Sequence, residues 1–171
     1  MARSRTVAGL ALALAALLAA GCAALAPPKP PAYTGADTVD EVSPDVFVGT
    51  WRLTALNPIE SDEPPPETTV TYRADGTYSA EIRPTPQMVE LMGPEPVRSS
   101  GRWSVANGRI RNETTEVEMP GGDDAVSRFV SRMMRDGFEG AMASEAEVYE
   151  AGPRRIVIVT EDGYATALER S

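Results

Sequence analysis

The sequence predicts an all-β domain of seven or eight short antiparallel strands, folded as a barrel or a sandwich. Three observations carry this. Residues 46–56 alternate apolar and polar with period two, the pattern of a half-buried strand. Asp75-Gly76, Asn107-Gly108 and Asp162-Gly163 each stand between two β-rich runs, where a hairpin turn belongs. Ile156-Val157-Ile158-Val159 is apolar on both faces, as in a strand covered on both sides.

Taken in order, the first strand puts Gly49, Trp51, Leu53 and Ala55 on one face and Thr50, Arg52 and Thr54 on the other. Residues 57–67 form a proline-rich acidic loop. The hairpin over 68–83 needs a three-residue turn, because only that length sets Tyr72 opposite Tyr78 and Val70 opposite Ala80. Gly76 then takes the left-handed position. The hairpin over 101–118 needs a two-residue turn at Asn107-Gly108, which sets Val105 opposite Ile110. Ala146 and Val148 mark a further strand within 145–150. The last hairpin spans 154–170, and its two-sided apolar pattern leaves the register open.

Two helical insertions interrupt the strands. Thr85 caps a short turn over about 86–92, with Pro86 at its first position and Gly93 after its end. Val126, Phe129, Val130, Met133 and Met134 share one face of a longer amphipathic helix over about 124–136. Asp123 and Asp124 precede it as cap residues, since calcium-loop spacing is missing.

The N-terminus reads as an address. Arg3 and Arg5 precede a run from Val7 to Ala20 that is apolar or small throughout, of secretory length and too short to span a bilayer. Leu18-Ala19-Ala20-Gly21-Cys22 resembles the lipobox of bacterial lipoproteins. The resemblance implies cleavage before Cys22, a diacylglycerol thioether on its sulfur and an acyl chain such as palmitate on its new amine. Ala23 is not the Asp that retains many such proteins in the inner membrane, which implies the outer membrane, facing the periplasm. The expected division is a signal peptide over 1–21, a proline-rich membrane tether over 22–44 and a folded domain over 45–171.

Composition removes several functions. Cleavage would take two arginines and no acid from a chain of net charge −9, leaving −11. Nucleic-acid binding and a charge-driven grip on anionic lipid are therefore disfavoured. Histidine is absent and Cys22 is the single cysteine. The usual general base and the usual zinc, haem and iron–sulfur ligands are missing, so no metal or cofactor is expected. Ser, Thr and Tyr hydroxyls lack a Gly-x-Ser-x-Gly elbow. Carboxylates in no distinctive spacing leave a carboxylate-dependent hydrolase only as a remote alternative.

Gly49-Thr50-Trp51 opening the domain, Arg170 on the last strand and the hairpin at 72–78 together look like the lipocalin-like members of the calycin group. That resemblance selects the barrel over the sandwich: a small up-and-down barrel over 45–171. It implies that Trp51 plugs one end and that Arg170 stacks on it. Gly101-Arg102-Trp103 repeats the first motif, by half-barrel duplication or by chance. Tyr72, Tyr78, Trp103, Met133 and Met134 are the candidate contacts for an apolar ligand, and the thioethers equally suit core gap-filling. The bulky interior set points to a barrel filled by side chains. The leading expectation is thus a non-catalytic envelope interaction module with a protein partner. The alternative is a carrier of a small apolar or lipid-like molecule.

Overall fold

A computed structural model of the chain describes residues 30–35, 37–58, 64–119 and 143–171. Cys22, the Asp123-Asp124 pair, Met133, Met134 and the expected helix over 124–136 lie outside them.

The strands are β1 (Gly49–Ala55), β2 (Glu67–Tyr72), β3 (Thr77–Arg83), β4 (Val97–Ala106), β5 (Arg109–Glu118), β6 (Ala143–Ala151), β7 (Arg155–Thr160) and β8 (Ala165–Arg170). Each pairs antiparallel with the next, and β8 returns to β1, setting Trp51 opposite Arg170 and Leu53 opposite Leu168. This closure makes an eight-stranded barrel and leaves no sheet edge unpaired. One helix, α1 (Pro86–Met92), bridges β3 and β4. The Thr85 hydroxyl accepts from the Met88 amide at its start, and Gly93 ends it at φ 92°.

Both legible hairpin registers hold. Tyr72 faces Tyr78 and Val70 faces Ala80 across a three-residue turn with Gly76 at φ 79°. The Asp75 carboxylate accepts from the Thr77 amide and hydroxyl, at 2.9 and 2.7 Å, which holds its pKa below the usual range. Val105 faces Ile110 across Asn107-Gly108, both with positive φ. The last hairpin also takes a three-residue turn, with Val159 opposite Ala165 and the Thr160 amide donating to the Tyr164 carbonyl at 3.0 Å.

Two boundaries differ from the sequence pattern. The first strand starts at Gly49, because Pro44–Val46 forms a 3-10 turn capped by Ser43 with Pro44 at its start. β4 starts at Val97, ahead of Gly101, because its inward positions 99 and 101 are Ser and Gly, which give no apolar signal; the bulge at this point puts its extra residue, Thr115, on β5.

Connections alternate between the two ends. The β2–β3, β4–β5 and β6–β7 turns share one end with Phe47 and Arg170; α1, the β7–β8 turn and the chain joining β1 to β2 share the other. The first end is closed. Trp51 is wholly buried there, its indole N–H donating to the Phe47 carbonyl at 2.6 Å.

Residues 30–35 and 37–43 run along the barrel. At the far end, Asn57 Nδ2 donates to the Pro31 and Gly163 carbonyls at 2.5 and 2.8 Å, and its Oδ1 accepts from the Ala165 amide at 2.8 Å. Tyr33 meets Tyr149 edge-on at 5.5 Å. The Val39 amide donates to the Val148 carbonyl at 2.8 Å, and Val42 packs on the core near the closed end. This strap meets β6 at Val148 and Tyr149, and outward-facing Val157 and Ala167 on the next two strands are buried too. Asn57→Ala is expected to cost about 1–3 kcal/mol, through two orphaned carbonyls and one orphaned amide. Hydrogen exchange at the Val39 amide should rise with the loss, reporting release of the strap.

Candidate functional site

The site is the interior of the barrel, and closure decides which residues face it. Strand register puts Trp51, Val70, Tyr72, Tyr78, Trp103 and Ile110 inward in the half toward the closed end, and all are buried. Their rings pack as one layer: Tyr72 lies 5.0 Å from Trp103 and 6.1 Å from Tyr78, and Phe47 meets Tyr72 edge-on at 5.9 Å. This aromatic layer is a floor.

Above the floor the inner face changes. Leu53, Ala80, Ile82, Val117 and Ile158 also face inward, as do Thr68, Ser99, Asn112, Thr114 and Thr166, yet all are only half-buried. Inward residues reached by solvent define a cup open at the end of α1. No inward strand position above the floor carries a charge among the described residues. Two inward positions of this upper half, Val97 and Leu168, are nonetheless buried, so side chains fill the lower half and part of the upper one.

A polar layer lies between floor and cup. The Asn112 amide hydrogen-bonds the Tyr72 hydroxyl, and the Tyr78 hydroxyl pairs with that of Thr114 at 2.6 Å. Asn112 Oδ1 is buried and has no donor among the described residues. A buried acceptor of this kind is uncommon and marks a place for an incoming N–H or O–H.

Burial pushes the Tyr72 phenol up to about 12, against the milder opposing effect of its Asn112 bond. Folding thus favours the protonated phenol. Its contribution is complete below the unfolded value near 10 and is lost as pH rises through about 12. Chemical denaturation should show stability falling by about 2–3 kcal/mol across that window, a fall absent in Tyr72→Phe.

The mouth holds a pocket of about 380 Å³ lined by Pro58, Pro64, Pro65, Met88, Tyr164 and Thr166, within the range of small-ligand sites. α1 supplies Met88, and the β7–β8 turn supplies Tyr164. Thr85, the cap of α1, is also buried against this pocket.

The residues singled out from sequence fall at different levels. The Arg170 guanidinium lies 4.3 Å from the Trp51 ring centroid, with Nε donating to the Pro153 carbonyl at 2.7 Å. Arg170 is exposed, so the stacking contributes about 0.5–1 kcal/mol. Tyr72, Tyr78 and Trp103 form the floor. Met133 and Met134 lie outside the described residues. The sequence reading missed Asn112, Thr114, Ser99 and Thr166, which look like ordinary polar strand positions until the register turns them inward.

No protein-family model matches the chain, and no curated protein matches it. Among solved structures the chain is similar to a lipocalin-like protein from Bacteroides uniformis, with 12% identity and a TM-score of 0.46 over 74% of this chain and 99% of that one. An uncharacterised protein from Bacteroides eggerthii gives 10% identity and a TM-score of 0.42 over 73% and 99%. A protein from Burkholderia xenovorans gives 13% identity and a TM-score of 0.40 over 82% and 98%.

Proposed function

We propose that this chain is a non-catalytic, lipid-anchored protein of the outer membrane, facing the periplasm, whose barrel holds one small uncharged, largely apolar molecule. The observation that carries the binding reading is the contrast along the inner face: a buried aromatic floor beneath uncharged walls at which most inward positions are only half-buried. An eight-stranded barrel has room for one such ligand. An uncharged wall disfavours an ionised ligand, because a charge taken into it would have no partner. The unpaired Asn112 Oδ1 selects a molecule bearing one hydroxyl or amide N–H at its buried end.

The anchor reading rests on Cys22 and its lipobox-like context. Cys22→Ala should leave the protein in the soluble periplasmic fraction; continued membrane residence refutes the anchor. That soluble full-length form allows a direct binding test. Titration with the neutral dye N-phenyl-1-naphthylamine should give saturable one-to-one fluorescence enhancement. Ala80→Trp, which fills the cup, should weaken it at least tenfold, about 1.4 kcal/mol. Enhancement that does not saturate, or is unchanged by Ala80→Trp, rejects the cup as the site.

A second reading, contact with an envelope protein, is favoured by one feature. A concavity of about 480 Å³ on the outer wall is lined by Arg83, Arg98, Glu81, Glu116 and Glu118. Its charges are already paired in part, Arg98 with Glu81 at 3.5 Å and Arg83 with Glu67 at 3.3 Å.

A further inference from the structure

Strand order alone would bring the tether out at the closed end, because β1 begins there. The strap reverses this. It carries the chain back along the outer wall, and its first described residues sit at the mouth: the Pro31 carbonyl on Asn57, and Pro30 against Gly163 at the β7–β8 turn. Cys22 precedes Pro30 by eight residues, a reach of at most about 28 Å. Any lipid on Cys22 is thus attached within about 28 Å of the mouth.

The surface of that end is suited to the contact. The exposed large hydrophobic residues among those described are Val89 and Tyr164, each 37% exposed. Val89 lies on α1 and Tyr164 follows the β7–β8 turn, so both stand on the rim. Exposed Pro58, Pro64 and Pro65 lie beside them at the mouth pocket. Glu90, Glu161 and Asp162 share this end, so the rim does not suit an anionic surface.

We infer that the mouth rim rests on the zwitterionic headgroup layer of the membrane that holds the chain's own anchor, so that the cup opens onto the bilayer. This rests on the lipid anchor proposed above. The occupant of the rim is the bilayer, because the tether ends there and the rim is apolar, whereas the closed end carries no exposed large hydrophobic among the described residues.

The test uses the full lipidated chain in phosphatidylcholine vesicles containing a headgroup spin-labelled lipid. Acylation caps Cys22, so a single introduced cysteine accepts one fluorophore. Val89→Cys and Tyr164→Cys report the rim, and Ala74→Cys reports the closed end. Quenching at positions 89 and 164 should exceed that at 74 at least threefold, and Asn57→Ala should reduce the ratio. Equal quenching at both ends, or more at position 74, in protein that floats with the vesicles overturns the orientation while the anchor stands. Protein that does not float overturns the anchor and the orientation together. Dye binding by the Cys22→Ala form is independent of both.

Discussion

Trp51→Ala should lower stability by about 3–5 kcal/mol, the cost of emptying a fully buried indole site. The loss has two sources. One is the cavity under the closed end, where Trp51 sits in the same cluster as Phe47, Val70 and Leu168. The other is the Phe47 carbonyl, which loses the indole N–H at 2.6 Å. Trp51→Phe keeps most of the volume and should lose about 1–2 kcal/mol. Arg170→Met removes the stacked guanidinium from an exposed position and should cost about 1 kcal/mol or less. Urea midpoints of the three variants, read with their slopes, check the order. Arg170→Met equal to Trp51→Ala would mean that the cation, not the indole, holds the closed end.

Gly101→Ala should be nearly as damaging, at about 3 kcal/mol or more. A Cβ at position 101 would lie only 2.0 Å from the Glu113 carbonyl oxygen and 2.9 Å from the Thr114 Cα. Both neighbours are backbone, so β4 and β5 must separate at the bulge. Gly93→Ala is the informative contrast. Its Cβ would meet nothing within 4 Å, and only the positive φ of 92° opposes it. At φ 92° and ψ 173°, a region essentially reserved for glycine, that substitution should cost about 1–3 kcal/mol and less than Gly101→Ala. A thermal-unfolding series separates the two, and equal effects would discount the close approach at Gly101.

The fold was legible where burial is one-sided. Tyr72 against Tyr78 and Val105 against Ile110 follow from apolar faces that must agree, and the structure has both pairs. The β7–β8 register was hidden because Val157 and Val159 are buried on the outer wall while Ile156 is buried on the inner one. A strand apolar on both sides carries no phase. The floor was legible as bulky side chains on inward phases. The cup was not, because Ser99, Asn112, Thr114 and Thr166 are polar types that alternation assigns to solvent. They do meet solvent, but inside the barrel. The strap was hidden for another reason. Asn57 joins Pro31 and Gly163, which lie 26 and 106 residues from it in the chain, and no local pattern in a proline-rich run encodes that.

The cup above a closed floor is tested most directly by a tryptophan placed in its wall and read against one in its floor. Both native tryptophans belong to the floor: the Trp103 indole N–H donates to the Arg73 carbonyl at the closed-end turn at 3.0 Å, and Trp51 has zero exposure. In the soluble Cys22→Ala protein, a dibrominated long-chain alcohol should quench the Ile82→Trp side chain, read in a Trp51→Phe, Trp103→Phe background, saturably and at one-to-one stoichiometry. The same titration of Trp51, read in a Trp103→Phe variant, should show markedly weaker quenching. No saturable quenching at position 82, or equal quenching at positions 82 and 51, would contradict a ligand cup in the upper half of this barrel.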